Sequence, residues 1–343
     1  MTVVSDLWRK NHRRQQAGLR GAFADAHQKR LSQPHCLTRL SRMLKVASIR
    51  LKQAAGLLSY PSRPALTFTV ILFLHLIPQA VQAAEDDPVY CSSEGVITLT
   101  DQASIDNFQT TYGPCDTTLY GINIGDGGWN NITNLTGLAG LKTIQDSLRI
   151  NYVYQLFDYT GLADVQVIEG ELYIYRNGEE TNGQLHQINM ESLVSIGGNL
   201  QIDGASNVNR LTAAHFPVLE SLGGALEVHS SPSLITLSFP ALTTVPSLNL
   251  SNIALADLSG FAALTSVAGN INLHHLSITD VDGLLGLTSI AADLTITSNG
   301  ALRNLDGLTN ITAIGGSLIV SGNNTLRNLM GLPVSRRWAV SSL

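Results

Sequence analysis

The sequence predicts an all-β chain: a right-handed parallel β-helix, or leucine-rich solenoid, of about nine coils with a disulfide-linked N-terminal cap. Three observations predict it. An eight-residue phrase, Gly-(Leu/Phe)-x-x-Leu-x-x-Ile, recurs every 22 to 28 residues from Gly137 to Trp338. Each complete copy is followed by a short spacer, often Gly-Gly, and then by a strand-like x-Leu-x-(Ile/Val). Few of the residues have helical spacing.

The copies read GLAGLKTI from Gly137, GLADVQVI from Gly161, NMESLVSI from Asn189, HFPVLESL from His215, SFPALTTV from Ser238, GFAALTSV from Gly260, GLLGLTSI from Gly283 and GLTNITAI from Gly307. A ninth, GLPVSRRW from Gly331, starts correctly and then fails. The strands after them read SLRI, ELYI, NLQI, ALEV, SLNL, NINL, DLTI and SLIV, and GINI ending at Ile124 supplies the same strand once more before the first phrase. In Leu148-Arg149-Ile150 the period of two sends two apolar side chains inward and one outward. A unit of about 24 residues cannot bury its own Leu and Ile, but stacking such units about 4.8 Å apart sets each Leu on the next and pairs the strands in parallel, giving a rod about 40 Å long.

Gly137, Gly161, Gly260, Gly283 and Gly307 are expected at tight corners with positive φ, and Pro217 and Pro240 at corners built differently. A leucine-rich-repeat horseshoe is the nearest rival, since its unit has the same length. Its signature requires an Asn after the strand, and on this reading no Asn recurs at that offset, which favours the β-helix.

Charge divides the chain. Of 21 Lys and Arg, 13 precede Ala65, against only Asp6 and Asp25; beyond Ala84 there are 8 basic and 24 acidic residues, a body near −16 hidden under an overall −5. Residues 1–64 are a basic leader, disordered or a mis-assigned start with Met43 as the true one. Residues 65–83, ALTFTVILFLHLIPQAVQA, hold a 13-residue apolar run, Ala65 to Ile77, the length of a signal-peptide core and short for a membrane span. Cleavage after Ala83 is expected; the alternative is an uncleaved anchor. The repeats are therefore expected to be secreted or held at the cell surface or envelope, with membrane contact only through Ala65–Ala83 if that segment is retained. Residues 84–118 form the cap, 119–332 the repeats and 333–343 an irregular tail. The basic leader lacks aromatic interleaving or a nucleic-acid module, so no nucleic-acid partner is expected.

Cysteine usage agrees with export. Cys91 and Cys115 have 23 residues between them, and Cys36 stands alone in the leader. In an oxidising compartment the pair forms a disulfide, stabilising by about 3 kcal/mol in the loop-entropy model. Thr100-Asp101 followed by QASIDNF reads as an N-capped short helix with Ile105 and Phe108 on one side, a lid for the open end of the stack.

The segment CSSEGVITLTDQASIDNFQTTYGPC from Cys91, with the repeats GLTNITAIGGSLIVSGNNTLRNLMGL and SFPALTTV, resembles the receptor L-domain family. These are the ligand-binding β-helical domains outside insulin-receptor-like and epidermal-growth-factor-receptor-like kinases, together with related fungal cell-wall proteins. The resemblance runs from Cys91 to Leu332 and implies an extracellular recognition or wall-associated domain without catalysis. No kinase or furin-like module accompanies it, so receptor signalling is not implied. PVSRRWAVSSL after Leu332 departs from the family and offers no closing cap, making the last coil an expected sticky edge.

Outward residues of the strands fall into two columns. The first runs Asn123, Arg149, Tyr173, Gln201, Glu227, Asn249, Asn272, Thr295 and Ile319; the second runs Gly125, Asn151, Tyr175, Asp203, His229, Ser251, His274, Thr297 and Ser321. The expected ligand-binding residues are Arg149, Tyr173, Tyr175, Asp203, Glu227 and His229. Asp203, Glu227 and His229 have the chemistry of a metal or acid-base cluster, but a wet sheet face carries polar residues anyway, and no metal, cofactor or catalytic residue is assigned. HExxH, GxSxG, P-loop and CxxC patterns do not occur. A β-helical polysaccharide lyase or hydrolase is the less favoured enzyme reading, because the eight basic residues of the body are scattered. Tyr152, Tyr154, Phe157, Tyr159, Tyr173 and Tyr175 fall in two adjacent coils, where they form a contact ledge or pack in part under a loop. The insert GEETNGQLHQ from Gly178 adjoins them. Sequons at Asn131, Asn134, Asn249, Asn310 and Asn323 are glycosylation acceptors in a eukaryotic secretory pathway. The expected function is non-catalytic recognition or adhesion, with an extracellular protein or glycan as partner. A structural envelope protein is the alternative.

Overall fold

The computed structural model describes residues 87–332 apart from 126, 127, 129, 178–185 and 205–209. The expectations for the leader, the Ala65–Ala83 segment, its cleavage site, the tail and most of the Gly178 insert lie outside the described residues.

The chain is all-β with parallel strands and little helix, as the repeat predicts. One sheet has ten strands whose spatial order is their order in sequence: Ile97–Leu99, Ile122–Ile124, Leu148–Asn151, Leu172–Tyr175, Leu200–Asp203, Leu226–Ser231, Leu248–Ile253, Ile271–Leu276, Leu294–Thr297 and Leu318–Ser321. Leu148 pairs with Leu172, Leu172 with Leu200 and Leu200 with Leu226, so each Leu lies against its counterpart in the next repeat. The alternate residues are buried all along the sheet. Each such side chain contributes about 1.5–3 kcal/mol on burial, so the stack is held by many equal increments. The strand Ile97–Leu99 was not anticipated. It precedes any copy of the phrase, yet it takes the register of the sheet, Ile97 on Ile122.

The last two residues of each phrase, with Thr117–Thr118 ahead of the first, form a second line of short strands. Thr117–Thr118, Thr143–Ile144, Val167–Ile168, Ser195–Ile196 and Ser221–Leu222 make a five-stranded ladder; Thr244–Val245, Ser266–Val267, Ser289–Ile290 and Ala313–Ile314 make a four-stranded one. The break between them has a chemical cause. The residue after each strand donates its N–H to the preceding repeat, as from Gly197 to Ile168 at 2.8 Å, Gly223 to Ile196 at 2.9 Å and Ala268 to Val245 at 3.1 Å. At the break that residue is Pro246, which has no N–H to send to Leu222.

The corners differ as the sequence variants do. Where the phrase opens with Gly the chain makes a 3-10 turn: Thr136–Leu138, Thr160–Leu162, Ser259–Phe261, Asp282–Leu284 and Asp306–Leu308. Where it opens with Asn189, His215 or Ser238 it runs instead as strands, His186–Asn189, Leu211–His215 and Thr236–Ser238, which pair into a three-stranded sheet. Phe216, Phe239 and Phe261 stack face to face inside, with centroids 5.0 and 5.4 Å apart.

The reason for glycine at the 3-10 corners is not the expected one. Gly137, Gly161, Gly260, Gly283 and Gly307 do not have positive φ; a Cβ at each would lie within 3 Å of a backbone carbonyl of the preceding repeat, Leu135 for Gly161 and Leu258 for Gly283. The requirement is close stacking of backbones. Left-handed residues occur elsewhere, four positions beyond the first inward residue of a strand: Tyr152, Arg176, Ser230, Asn252, His275 and Ser298, with φ from +50° to +59°. Tyr152, Arg176 and Ser298 directly follow their strands, whereas Ser230, Asn252 and His275 are the last but one residues of theirs.

The expectation that no Asn recurs after the strand also fails. Asn177, Asn299 and Asn323 stand five positions beyond Leu172, Leu294 and Leu318 and are buried. Asn177 accepts from the N–H of Val153 at 2.8 Å and donates to the carbonyl of Ile150 at 2.6 Å, and the other two bond in the same way. The equivalent positions carry Val153, Ser231, Ile253 and Leu276, so the Asn row is interrupted.

At the N-terminal end, α1 (Gln102–Asp106) and α2 (Phe108–Thr111) hold Ile105 and Phe108 fully buried. The Asp101 side chain accepts from Ser104 N–H at 2.7 Å and the Ser104 hydroxyl accepts from Asp101 N–H at 3.2 Å, a reciprocal cap that starts α1. Cys91 and Cys115 form a disulfide with Cα atoms 5.0 Å apart.

Candidate binding face

The outward residues of the ten-stranded sheet stand in the columns read from the sequence. Asn123, Arg149, Tyr173, Gln201 and Glu227 pair in succession, and Glu227 continues through Asn249, Asn272 and Thr295 to Ile319. Asn151, Tyr175, Asp203, His229, Ser251, His274, Thr297 and Ser321 make the second column. A period of two on strands of fixed register brings all six expected ligand-binding residues to one face over four repeats.

Tyr173 and Tyr175, two apart on one strand, stack at 5.8 Å with planes 11° apart. Tyr152 meets Tyr175 edge-on at 5.0 Å and Tyr154 at 6.3 Å. The guanidinium of Arg176 lies 5.8 Å from the rings of both Tyr152 and Tyr154. Cation–π attraction of this kind is worth about 0.5–1 kcal/mol at an exposed site. Four tyrosines and one arginine thus form a half-buried aromatic ledge. Burial, and after it the Asp203 carboxylate, raises the Tyr173 phenol above its usual range; burial and contact with Tyr152 raise Tyr175. Both stay protonated and able to donate a hydrogen bond.

Beside the ledge Arg149 is engaged: its Nε and Nη2 both lie 2.7 Å from Oε1 of Glu171. His229 sits beside Asp203 in register, but its Nδ1 bonds Ser251 Oγ at 2.8 Å. Further along the column, His274 Nδ1 does the same with Thr297 Oγ1 at 2.9 Å. Among the described residues no three His, Cys, Asp or Glu gather closely enough to hold a metal ion, and no helix is long and apolar enough to cross a membrane.

Two of the six aromatics are not part of the ledge. Tyr159 is buried and stacks on the buried His186 at 6.0 Å, and Phe157 is exposed without joining the cluster. Sequence reasoning missed Arg176, whose left-handed backbone turns it over the rings, and Glu171, the partner of Arg149. The signal for Arg176 was its place directly after Tyr175.

Of the sequons, Asn131 and Asn310 are exposed, Asn134 and Asn249 half-buried, and Asn323 is buried with both amide atoms hydrogen-bonded. No protein-family model, no curated protein and no solved structure matches this chain.

Proposed function

We propose that the parallel ladders close into a right-handed β-helix, a leucine-rich solenoid of about nine coils. In this reading α1, α2 and the Cys91–Cys115 bridge are its N-terminal cap, and the whole resembles the receptor L-domain family. On that frame the protein is an exported, non-catalytic recognition or adhesion molecule. It binds an extracellular protein or glycan through the outward face around Arg149, Tyr173, Tyr175, Asp203, Glu227 and His229. The observation that carries this reading is the ledge: stacked Tyr173 and Tyr175, flanked by Tyr152, Tyr154 and Arg176, present large rigid rings with polar tips on a paired sheet. The disulfide supports export, since such bonds persist in oxidising compartments.

The test is a titration of labelled full-length protein on intact envelope from its source. Saturable binding that weakens about tenfold or more in Tyr173→Ala/Tyr175→Ala, and is unchanged in Ile319→Ala on the same column, supports the reading. Binding that fails to saturate, or ignores the tyrosine changes, overturns it.

A further inference from the structure

Beyond the ends of the later strands lies an open groove of about 820 Å³, apart from the tyrosine ledge. It crosses four consecutive repeats and is built from two positions of each. Ser230, Asn252, His275 and Ser298 occupy the left-handed position, and Pro232, Ala254, Ser277 and Gly300 stand two residues further on. A non-glycine residue in the left-handed region costs about 1–2 kcal/mol. Gly322 holds the same place after the last strand at φ +66°, so the bend itself accepts glycine. Four polar side chains are nonetheless kept in line there, and Asn252, His275 and Ser298 are exposed.

The chemistry of the lining selects its occupant. Among the described residues no Asp, Glu, Lys or Arg lines the groove, although acidic residues outnumber basic ones 24 to 8 beyond Ala84. An ionic ligand would find no counter-charge. The strands beneath are paired on both sides, Ser231 with Ile253 and Ile253 with Leu276, so no open sheet edge runs through the groove. An extended peptide would leave its own amides unmatched. What remains is a row of hydroxyl, amide and imidazole groups repeated about every 4.8 Å, each able to donate or accept. Pro232, Ala254 and Ala301 add apolar surface beside it. That combination matches a chain that is uncharged, rich in hydroxyls and apolar on its C–H faces.

We propose that this groove is a second binding site, for a neutral linear oligosaccharide lying across the strands from repeat to repeat. It does not depend on the tyrosine ledge. Calorimetry on the full chain tests it with neutral hexasaccharides of glucose and of N-acetylglucosamine, an oligogalacturonate of the same length and an uncharged decapeptide. The expected result is binding of a neutral hexasaccharide that Ser277→Trp abolishes by filling the groove. Asn252→Gly/His275→Gly keeps the bend, removes two hydrogen-bonding groups and weakens binding about tenfold. Tyr175→Ala leaves it intact, which separates this site from the ledge. The proposal is overturned if no neutral hexasaccharide binds at millimolar concentration, or if the charged oligomer or the decapeptide binds more tightly. Neutral binding that survives both groove variants overturns it as well.

Discussion

The side-chain oxygen of Asn323 accepts the backbone N–H of Asn299 at 2.8 Å, and the side chain of Asn299 does the same for Leu276, one repeat earlier, at 2.9 Å. Each amide also donates inward, Asn299 to Leu273 and Asn323 to Ile296. The pair is a buried relay that satisfies backbone groups left over where the strands end. Asn299→Ala orphans one N–H and one carbonyl, so a loss of about 2–4 kcal/mol is expected in urea unfolding. A loss under 0.5 kcal/mol would show that water replaces the amide.

The same burial sets glycan occupancy. In a glycosylating host, glycopeptide mapping is expected to find sugar on the exposed Asn131 and none on Asn323, which is buried with its amide nitrogen on the Ile296 carbonyl at 2.8 Å. A glycan on Asn323 in folded, secreted protein contradicts the relay.

Glycine substitutions separate close approach from backbone freedom. Gly161 has no positive φ, yet a Cβ there meets the backbone of Leu135 and Thr136; a Cβ at Gly95 meets nothing within 4 Å. Gly161→Ala is expected to cost about 3 kcal/mol or to prevent folding, and Gly95→Ala to stay within about 0.5 kcal/mol. Equal effects on the unfolding midpoint would refute the distinction.

Burial lowers the His186 pKa from 6.5 to about 4. In the interval between those values the unfolded chain binds a proton that the native chain refuses. Stability therefore falls as pH drops from 6.5 towards 4, by about 3 kcal/mol in all. His186→Phe keeps a ring against Tyr159 and is expected to flatten this part of the pH profile in urea melts at pH 7.5, 5.5 and 4.5. An unchanged slope in the variant assigns the acid sensitivity to other groups.

Cys91 and Cys115 close a loop with a sequence separation of 24. Reduction, or Cys91→Ser/Cys115→Ser, is expected to lower stability by about 3 kcal/mol. The loss should be greatest at the N-terminal end, read as faster hydrogen exchange at Ile97 and Ile122 than at Ile296. Uniform acceleration along the chain would mean that the whole stack unfolds as one unit.

The two outward columns were legible because strand alternation and a repeated phrase fix both the facing and the register of Arg149, Tyr173, Gln201 and Glu227. The Asn relay was not, because Val153, Ser231, Ile253 and Leu276 interrupt it and hide the period. The left-handed row escaped for a related reason: Tyr, Arg and Ser carry no local mark of positive φ, and Asn252 and His275, which do, are only two of its six members. The glycines of the phrase were marked, but their cause, a carbonyl belonging to the preceding repeat, exists only after stacking. Tyr159 stands two residues before Gly161, the corner place that Leu135, Leu258, Val281 and Leu305 hold in other repeats, and it is buried as they are.

Pro246 gives the molecule a seam. On one side of the stack the ladder changes owner there, from the strands ending at Ser221–Leu222 to those beginning at Thr244–Val245, while the ten-stranded sheet runs past without interruption. The repeats on either side stay joined by the ten-stranded sheet and by the pairing of Leu211–His215 with Thr236–Ser238, and only this ladder is open between them. A single missing proton thus decides where one ladder stops and the next begins.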